Sequence, residues 1–269
     1  MVERLVPDPH HRGAWVVRIG DTDQSWVDPD DPTHLEFDYV QRIADVIDVV
    51  APVNERIRAV HVGGGGLSLP RYVAHTRPTS AQVVLEPDEE LTAEVRLRAP
   101  LPPRSGIKVR PQDGRTGLAG MPDGYCDLLI IDAFAGARVP GELATVEAFA
   151  EYRRVLTGAG TVVLNVTDSA PLTWTRRLLA GAQRSFATIG LMAESATLKG
   201  RRFGNIVVVA TGDTTLDWDA LARRAAGAAF PFRVSLGPGV DRLVAGAAPL
   251  EDANAEASPP PPDGATAFR

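Results

Sequence analysis

Residues 57–86 read IRAVHVGGGGLSLPRYVAHTRPTSAQVVLE, and the succession of textures in this stretch decides the fold. Ile57 to Val62 is an apolar run with strand character, closed by four glycines, Gly63 to Gly66. "LSLPRYVAHT" then has the apolar spacing of a short helix, and Ala81 to Glu86 forms a second strand. Strand, glycine turn, helix and strand make the repeating unit of a parallel sheet with helices on both faces.

The alternation continues downstream. "DEELTAEVRLR" is a predicted helix, "IKVR" (Ile107 to Arg110) a short strand, and "YCDLLIID" (Tyr125 to Asp132) a strong one. "ELATVEAFAEYRRVL" is a helix stopping at Gly158, "GTVVLNV" (Gly160 to Val166) a strand, and "APLTWTRRLLAGAQRSF" a helix. The near-continuous apolar character of "DLLII" and "TVVLNV" marks strands buried on both faces. "FATIGLMAE" and "GNIVVVAT" are separated only by the basic turn "LKGRR", too little for a crossover helix, so they form a hairpin with one strand antiparallel.

Upstream, "GAWVVRIGD" and "QSWVD" lie between turn residues and suggest a small hairpin. From Leu35 to Val50 apolar residues recur at helical spacing, with Thr33 as N-cap, Glu36 as its capping-box partner and Pro52 beyond the end. The expected organisation is an N-terminal β-hairpin region over 1–34, an α/β domain over 35–233 and a C-terminal segment over 234–269. That last segment contains "PLEDANAEASPPPPDGATAFR", whose proline-rich polar composition predicts a largely disordered tail. The α/β domain is expected to be a seven-stranded, mostly parallel, doubly wound sheet with a terminal antiparallel hairpin.

At 269 residues with 44% hydrophobic content, the chain can bury a sizeable core. A net charge of −6, with acids and bases interspersed, argues against a nucleic-acid-binding face, which needs a basic stripe. Cys126 is the single cysteine, which excludes an internal disulfide and fits a reducing compartment. "MVERLVPDPHHRG" has no apolar signal core, and no run approaches the ~20 apolar residues needed to cross a bilayer. These features predict a soluble cytoplasmic protein that handles small molecules, with neither nucleic acid nor membrane as partner. The histidines (His10, His11, His34, His61, His75) show no metal-ligand spacing with acids, so no metal is expected. His61, inside a strand, reads as a packed or polar-lined residue.

Doubly wound sheets bind ligands at the carboxyl ends of their strands, near the point where strand order reverses. Glycine there permits positive φ and close approach of backbone to a ligand. Gly63, Gly64 and Gly65 fit that turn, although the spacing is not the GxGxxG of dinucleotide binders and a tight strand-to-helix turn is the plain alternative. Glu86 ends the next strand, where an acid can accept both ribose hydroxyls of a nucleoside; otherwise it is a surface acid opening the following helix. Gln112-Asp113-Gly114 follows the third strand, where Asp113 can take the exocyclic amine of adenine; otherwise it is an ordinary Asp-Gly turn. Asp132 ends the most apolar strand, where a carboxylate is costly unless solvated or paired; otherwise it caps the next helix. Four such signals at successive strand ends are jointly explained by one adenosine-containing ligand.

Together "HVGGGGLSLPR", "VVLEPDEEL", "QDGR", "YCDLLIIDAFAGARVPGEL" and "EAFAEYRRVLTGAG", in this order, resemble the spermidine/spermine synthases, aminopropyltransferases with an S-adenosylmethionine-methyltransferase-like fold. "DQSWVD" and "EFDYVQRI" are similar to that family's β-hairpin and tyrosine-bearing helix, so the likeness spans Gln24 to Thr211. The resemblance implies an S-adenosyl thioether ligand: decarboxylated S-adenosylmethionine, S-adenosylmethionine itself, or the methylthioadenosine that transfer leaves behind. It implies that Glu86 holds the ribose, Asp113 and Gly114 the adenine, Gly63 to Gly65 the sulfur-bearing chain, and Gln24 the nucleoside from the hairpin. Asp132 would steer the attacking amine and Tyr39 would position it. It also implies a homodimer or higher homo-oligomer.

Three positions depart from the family pattern. Its glycine loop, GGGDG, carries an acid where this chain has Gly66. The second acid of its DSSDP-type motif is absent from Asp132-Ala133-Phe134-Ala135, and the histidine after the tyrosine is Val40. The nucleoside half of the expected site is kept, while the polyamine half has lost carboxylates and gained Phe134. The readings that follow are an aminopropyltransferase with altered acceptor choice, an S-adenosylmethionine-dependent methyltransferase on the same scaffold, and a non-catalytic nucleoside-binding relative.

Overall fold

The computed structural model of the chain describes residues 4–19, 22–212 and 216–262. Three short strands come first: β1 (Leu5–Pro7), β2 (Trp15–Ile19) and β3 (Thr22–Val27), paired antiparallel in that order. Leu5 and Val17, both fully buried, pack with Leu67, Leu91 and Val95 of the larger domain. The expected N-terminal hairpin is therefore a three-stranded sheet docked on its neighbour.

The larger domain runs α1 (Asp38–Val50), β4 (Arg58–Val62), α2 (Ser68–Thr76), β5 (Ala81–Leu85), α3 (Glu89–Arg98), β6 (Ile107–Arg110), α4 (Gly114–Ala119) and β7 (Cys126–Ile131). It continues through α5 (Val146–Val155), β8 (Leu156–Asp168), α6 (Thr173–Ala182), β9 (Thr188–Glu194), α7 (Ser195–Leu198), β10 (Gly204–Thr211), α8 (Trp218–Ala226), β11 (Phe232–Leu236) and α9 (Pro238–Val244). The strands form one sheet of order β11-β9-β10-β8-β7-β4-β5-β6. Strands β4 to β8 are mutually parallel, while β10 is antiparallel to β8 and β9, and β11 is antiparallel to β9.

Period-two alternation divides the core between the two faces. Leu129 and Ile131 of β7 and Val162 and Leu164 of β8 pack with Phe149, Tyr152 and Leu178 of α5 and α6. Leu128, Ile130 and Val163 face the other way, onto Ile43, Val46 and Ile47 of α1. Both faces are covered, so the strands are apolar throughout. Among the described residues, no helix is long and apolar enough to cross a membrane.

Three expectations need correction. The sheet has eight strands rather than seven, because Phe232–Leu236 pairs with β9. The segment expected to be a disordered tail is, as far as residue 262, laid on the domain. Leu250 and Ser258 are fully buried, Val146 N–H donates to the Leu250 carbonyl at 2.8 Å, and the Trp174 indole donates to the Glu256 carbonyl at 2.8 Å. Low hydrophobicity misled there because the segment is held by backbone hydrogen bonds, which composition does not report. Residues 263–269 of that expectation lie outside the described ones. Finally, α1 begins at Asp38 with Phe37 as N-cap, and the Thr33 hydroxyl instead donates to Asp31 at 2.6 Å.

Candidate functional site

The chain lays β4, β5 and β6 outward in one direction, then returns to place β7 on the other side of β4. The strand order reverses there, and the carboxyl ends of β4 and β7 flank a cavity of about 370 Å³. Gln24 and Tyr39 line it from β3 and α1; Gly63, Gly64 and Gly65 from the loop after β4; and Glu86, Asp113, Gly114 and Asp132 from the ends of β5, β6 and β7. All nine residues singled out in the sequence thus border one space.

The glycine loop serves the protein's own packing as well as the cavity. Gly63 has φ of +96°, and a Cβ on it would lie 2.2 Å from the Asp132 carbonyl oxygen. A Cβ on Gly64 would lie 3.2 Å from the Glu86 carboxylate, which accepts the Gly64 N–H at 2.8 Å. Gly65 abuts Ser25 of β3, and Gly66 abuts Val27, with a Cβ there 3.1 Å from the valine Cβ. The place where a side-chain acid was looked for is filled by the docked strand.

Glu86 accepts the Asp88 N–H at 2.9 Å on its other oxygen, so loop and strand end are tied through one carboxylate. Asp113 caps α4 by accepting the Thr116 N–H at 2.9 Å, a bond that holds its carboxyl below the usual range. Gly114 begins that helix hard against Val62, where a Cβ would lie 2.4 Å from the valine methyl. His61 is buried, bonded to Gln82 at 2.9 Å and pushed down to about 4 by burial, so it is neutral and structural.

Asp132 sits on the floor. Burial pushes its carboxyl up to about 6, against a lowering contribution from the Asn165 amide, which donates to it at 2.9 Å. It is therefore mostly ionised at neutral pH yet close enough to titration to take a proton. Burial, and then the nearby charge of Asp132, hold the Tyr39 phenol well above its ordinary value, and Phe37 stacks on the Tyr39 ring at 6.0 Å.

A second cavity of about 360 Å³ shares Gln24, Tyr39 and Phe134 with the first. Its further walls include Phe37, Phe230 and Phe232, together with Asn165 and Asn205. Three of its carboxylates already have partners: Asp23 with Arg18 at 2.6 Å, Glu36 with His34 at 3.2 Å and Glu194 with Arg202 at 3.2 Å. Asp38 has no direct bond of its side chain among the described residues, and burial raises its carboxyl. Sequence reasoning passed over Asp38, Asn165 and Asn205; an asparagine inside the apolar run "TVVLNV" was the available signal.

The reading that no histidines gather with acids is corrected by the fold: His11, His34 and Glu36 bring donor atoms within 4.8 Å of one another on a partly exposed surface. It is the one such group among the described residues; His34 and Glu36 pair directly, and the His11 and His34 rings meet edge to face at 5.0 Å.

A doubly wound sheet with a reversed strand at β10, glycines at the switch point and acids on successive strand tips defines the methyltransferase-like fold class. Within that class the chain resembles the spermidine synthases, or polyamine aminopropyltransferases. It is 28% identical over 147 residues to the polyamine aminopropyltransferase of Vibrio vulnificus, a match spanning 54% of this chain and 48% of the relative, or about half its length. It is 25% identical to that of Chromobacterium violaceum over 83% of this chain and 82% of the relative. The crystal structure of a probable spermidine synthase from Corynebacterium glutamicum superposes with a TM-score of 0.84 at 29% identity, covering 92% of both chains. A spermidine synthase in complex with the transition-state analogue AdoDATO, 13% identical, shares the fold at a TM-score of 0.57 over 89% of this chain and 82% of that one. No family model matches the chain.

Proposed function

We propose that this chain is a spermidine synthase-like transferase that moves an aminopropyl group from a decarboxylated S-adenosylmethionine-type donor to an amine. The observation that carries the reading is the position of Asp132, bonded to Asn165 and beside Tyr39, in the same cavity as Glu86 and Asp113. The cavity suits an adenosyl thioether, because the glycine loop borders it with backbone alone and two strand-tip carboxylates supply acceptors for hydroxyls and an amine. Glu86 would take the ribose and Asp113 the adenine amine.

In the reaction the acceptor nitrogen attacks the methylene carbon bonded to the sulfonium. The new C–N bond forms as the C–S bond breaks, and its electron pair returns to sulfur, leaving the neutral thioether. The proton released from nitrogen goes to Asp132 or to water. Asp132 holds the amine uncharged and aimed, and Tyr39 walls its approach, so positioning and one proton acceptor do the work.

Acceptor choice is the part we read as altered. With Ala135 where the family pattern has its second acid, and with Phe37, Tyr39, Phe134, Phe230 and Phe232 around the second cavity, one free carboxylate (Asp38) remains there for a distal ammonium. An absent partner for a buried ammonium costs about 2–5 kcal/mol. An amine with an apolar body fits this arm better than a slender diamine.

The packing of Gly66 on Val27 favours a second reading. With no acid there to repel it, the carboxylate of undecarboxylated S-adenosylmethionine is tolerated, and a methyl group could be transferred instead. Calorimetric titration with both donors and methylthioadenosine, followed by transfer assays to putrescine and to aryl-alkyl amines, separates the two. Turnover with the decarboxylated donor supports the first reading. Turnover only with the carboxylated one supports the second, and nucleoside binding with no turnover defeats both.

A further inference from the structure

The apolar alternation facing α1 gives way to polar side chains near the same end of three neighbouring strands. On β7 it runs Leu128, Ile130, then Asp132; on β8 Val163, then Asn165; on β10, which runs in reverse, Val209, Val207, then Asn205. Asn165 lies opposite Val207, so Asn205 is its diagonal neighbour on the same face. The three polar side chains are joined: Asn165 Nδ2 donates to Asp132 Oδ1 at 2.9 Å, and Asn205 Nδ2 donates to Asn165 Oδ1 at 3.0 Å.

The chain of bonds has one consistent direction. Turning the Asn165 amide over would set its carbonyl oxygen against the carboxylate and its NH2 against the NH2 of Asn205. With Asn165 only 1% exposed, water cannot repair either mismatch. Among the described residues no other side chain donates to Asp132. We infer that Asn165 and Asn205 are positioning residues: Asn205 fixes the amide of Asn165, which engages one oxygen of Asp132 so that the other serves the acceptor amine. The assignment rests on the transferase reading for its chemistry, but the bond chain stands without it. Both asparagines also line the second cavity, so the anchor lies where an acceptor would pass.

The ionisable groups that line the two cavities with Asp132 are Asp23 of β3, Glu36, Asp38 and Tyr39 at and before α1, His61 of β4, Glu86 and Asp88 after β5, Asp113 and Arg115 after β6, Glu142 after β7, Glu194 of β9 and Arg202 before β10. None is changed by substituting the asparagines, so a shift in Asp132 reports the bond chain itself. The test follows the Asp132 carboxyl carbon by NMR through a pH titration, its resonance assigned by loss in Asp132→Asn. Asn165→Leu, close in volume, is expected to raise the midpoint by about one unit. Asn205→Ala, at a half-buried position that tolerates truncation, should raise it by less in the same direction. Transfer kcat should fall about tenfold in both, with donor KM unchanged. An unmoved midpoint in both variants overturns the proposal, even if activity falls. A wild-type protein without transfer activity whose midpoint still moves removes the transferase reading and leaves the bond chain supported.

Discussion

Gly63 and Asp132 touch through their backbones: a methyl on Gly63 would lie 2.2 Å from the Asp132 carbonyl oxygen and 2.8 Å from its carbonyl carbon. The first glycine of the loop is therefore what lets the tips of β4 and β7 close together, and so what seats the carboxylate beside the loop. Gly63→Ala combines a backbone overlap with a side chain at φ of +96°, a strain of roughly 1–3 kcal/mol before any displacement. The expected result is a lower thermal midpoint together with loss of nucleoside binding, read by melting with and without methylthioadenosine. Gly65→Ala, against the Ser25 side chain with φ of +47°, should be milder.

On the transferase reading, Asp132 links activity and stability with opposite signs. Its folded carboxyl titrates at about 6, above the usual 3.8. The folded state therefore binds the proton more tightly than the unfolded state, and stability falls as pH rises from near 4 to near 6. Asp132→Asn keeps an acceptor for Asn165 while removing the charge. The variant should be more stable than the parent at pH 7–8, by at most about 2–3 kcal/mol, and no more stable at pH 4. Turnover should fall at least about 100-fold, with methylthioadenosine affinity nearly intact. In the parent, activity should rise with pH through about 6. Urea titrations at the two pH values check the first claim; a pH–rate profile and calorimetry check the others.

Glu86 has a double duty that its variants can separate. Its carboxylate accepts from Gly64 and Asp88 N–H groups, and it borders the cavity. Glu86→Gln retains one acceptor oxygen, whereas Glu86→Ala leaves both amides without their partner. Hydrogen bonds to a charged group are worth ~1.5–3 kcal/mol, so Glu86→Ala should weaken every adenosyl ligand about 10–100-fold. Calorimetry with methylthioadenosine and both donors should show the same loss for each. A loss confined to one donor would show that Glu86 contacts the transferred arm instead of the nucleoside.

Which features were legible in the sequence follows from how local their causes are. Strands β4, β5 and β7 are contiguous apolar runs ending at a glycine or an acid, so both the strands and the tips that border the cavity could be read directly. Helix α4 spans six residues, too few for periodicity, and Asp113 gave itself away as a turn residue without revealing the helix it caps. Asn165 and Asn205 stand 40 residues apart and meet because β10 is inserted antiparallel beside β8, a pairing no local pattern encodes. The first residues of α1 were misjudged because Thr33 bonds backward to Asp31 rather than forward to a helix.

The C-terminal segment was misread for a related reason, and its contacts hold a loop that walls the first cavity. Arg138 donates to the carbonyls of Ala257 and Ser258, and the Val139 N–H donates to the Ser258 hydroxyl at 2.9 Å, while Gly141 packs against the backbone of Glu256. The loop so held carries Pro140, Glu142 and Leu143 into the wall of the first cavity. Ser258 is fully buried, so Ser258→Ala leaves the Val139 N–H without its side-chain acceptor, at a cost of about 1–3 kcal/mol. Truncation after Ala247 removes Leu250 and every one of these bonds, and should loosen the loop without touching β4, β5 or β7. The expected outcome is an intact far-ultraviolet circular dichroism spectrum, a lowered melting temperature, faster amide exchange over residues 135–145, and weaker nucleoside affinity. Unchanged exchange in that loop would show that the strap is decoration and that the wall of the cavity holds its own shape.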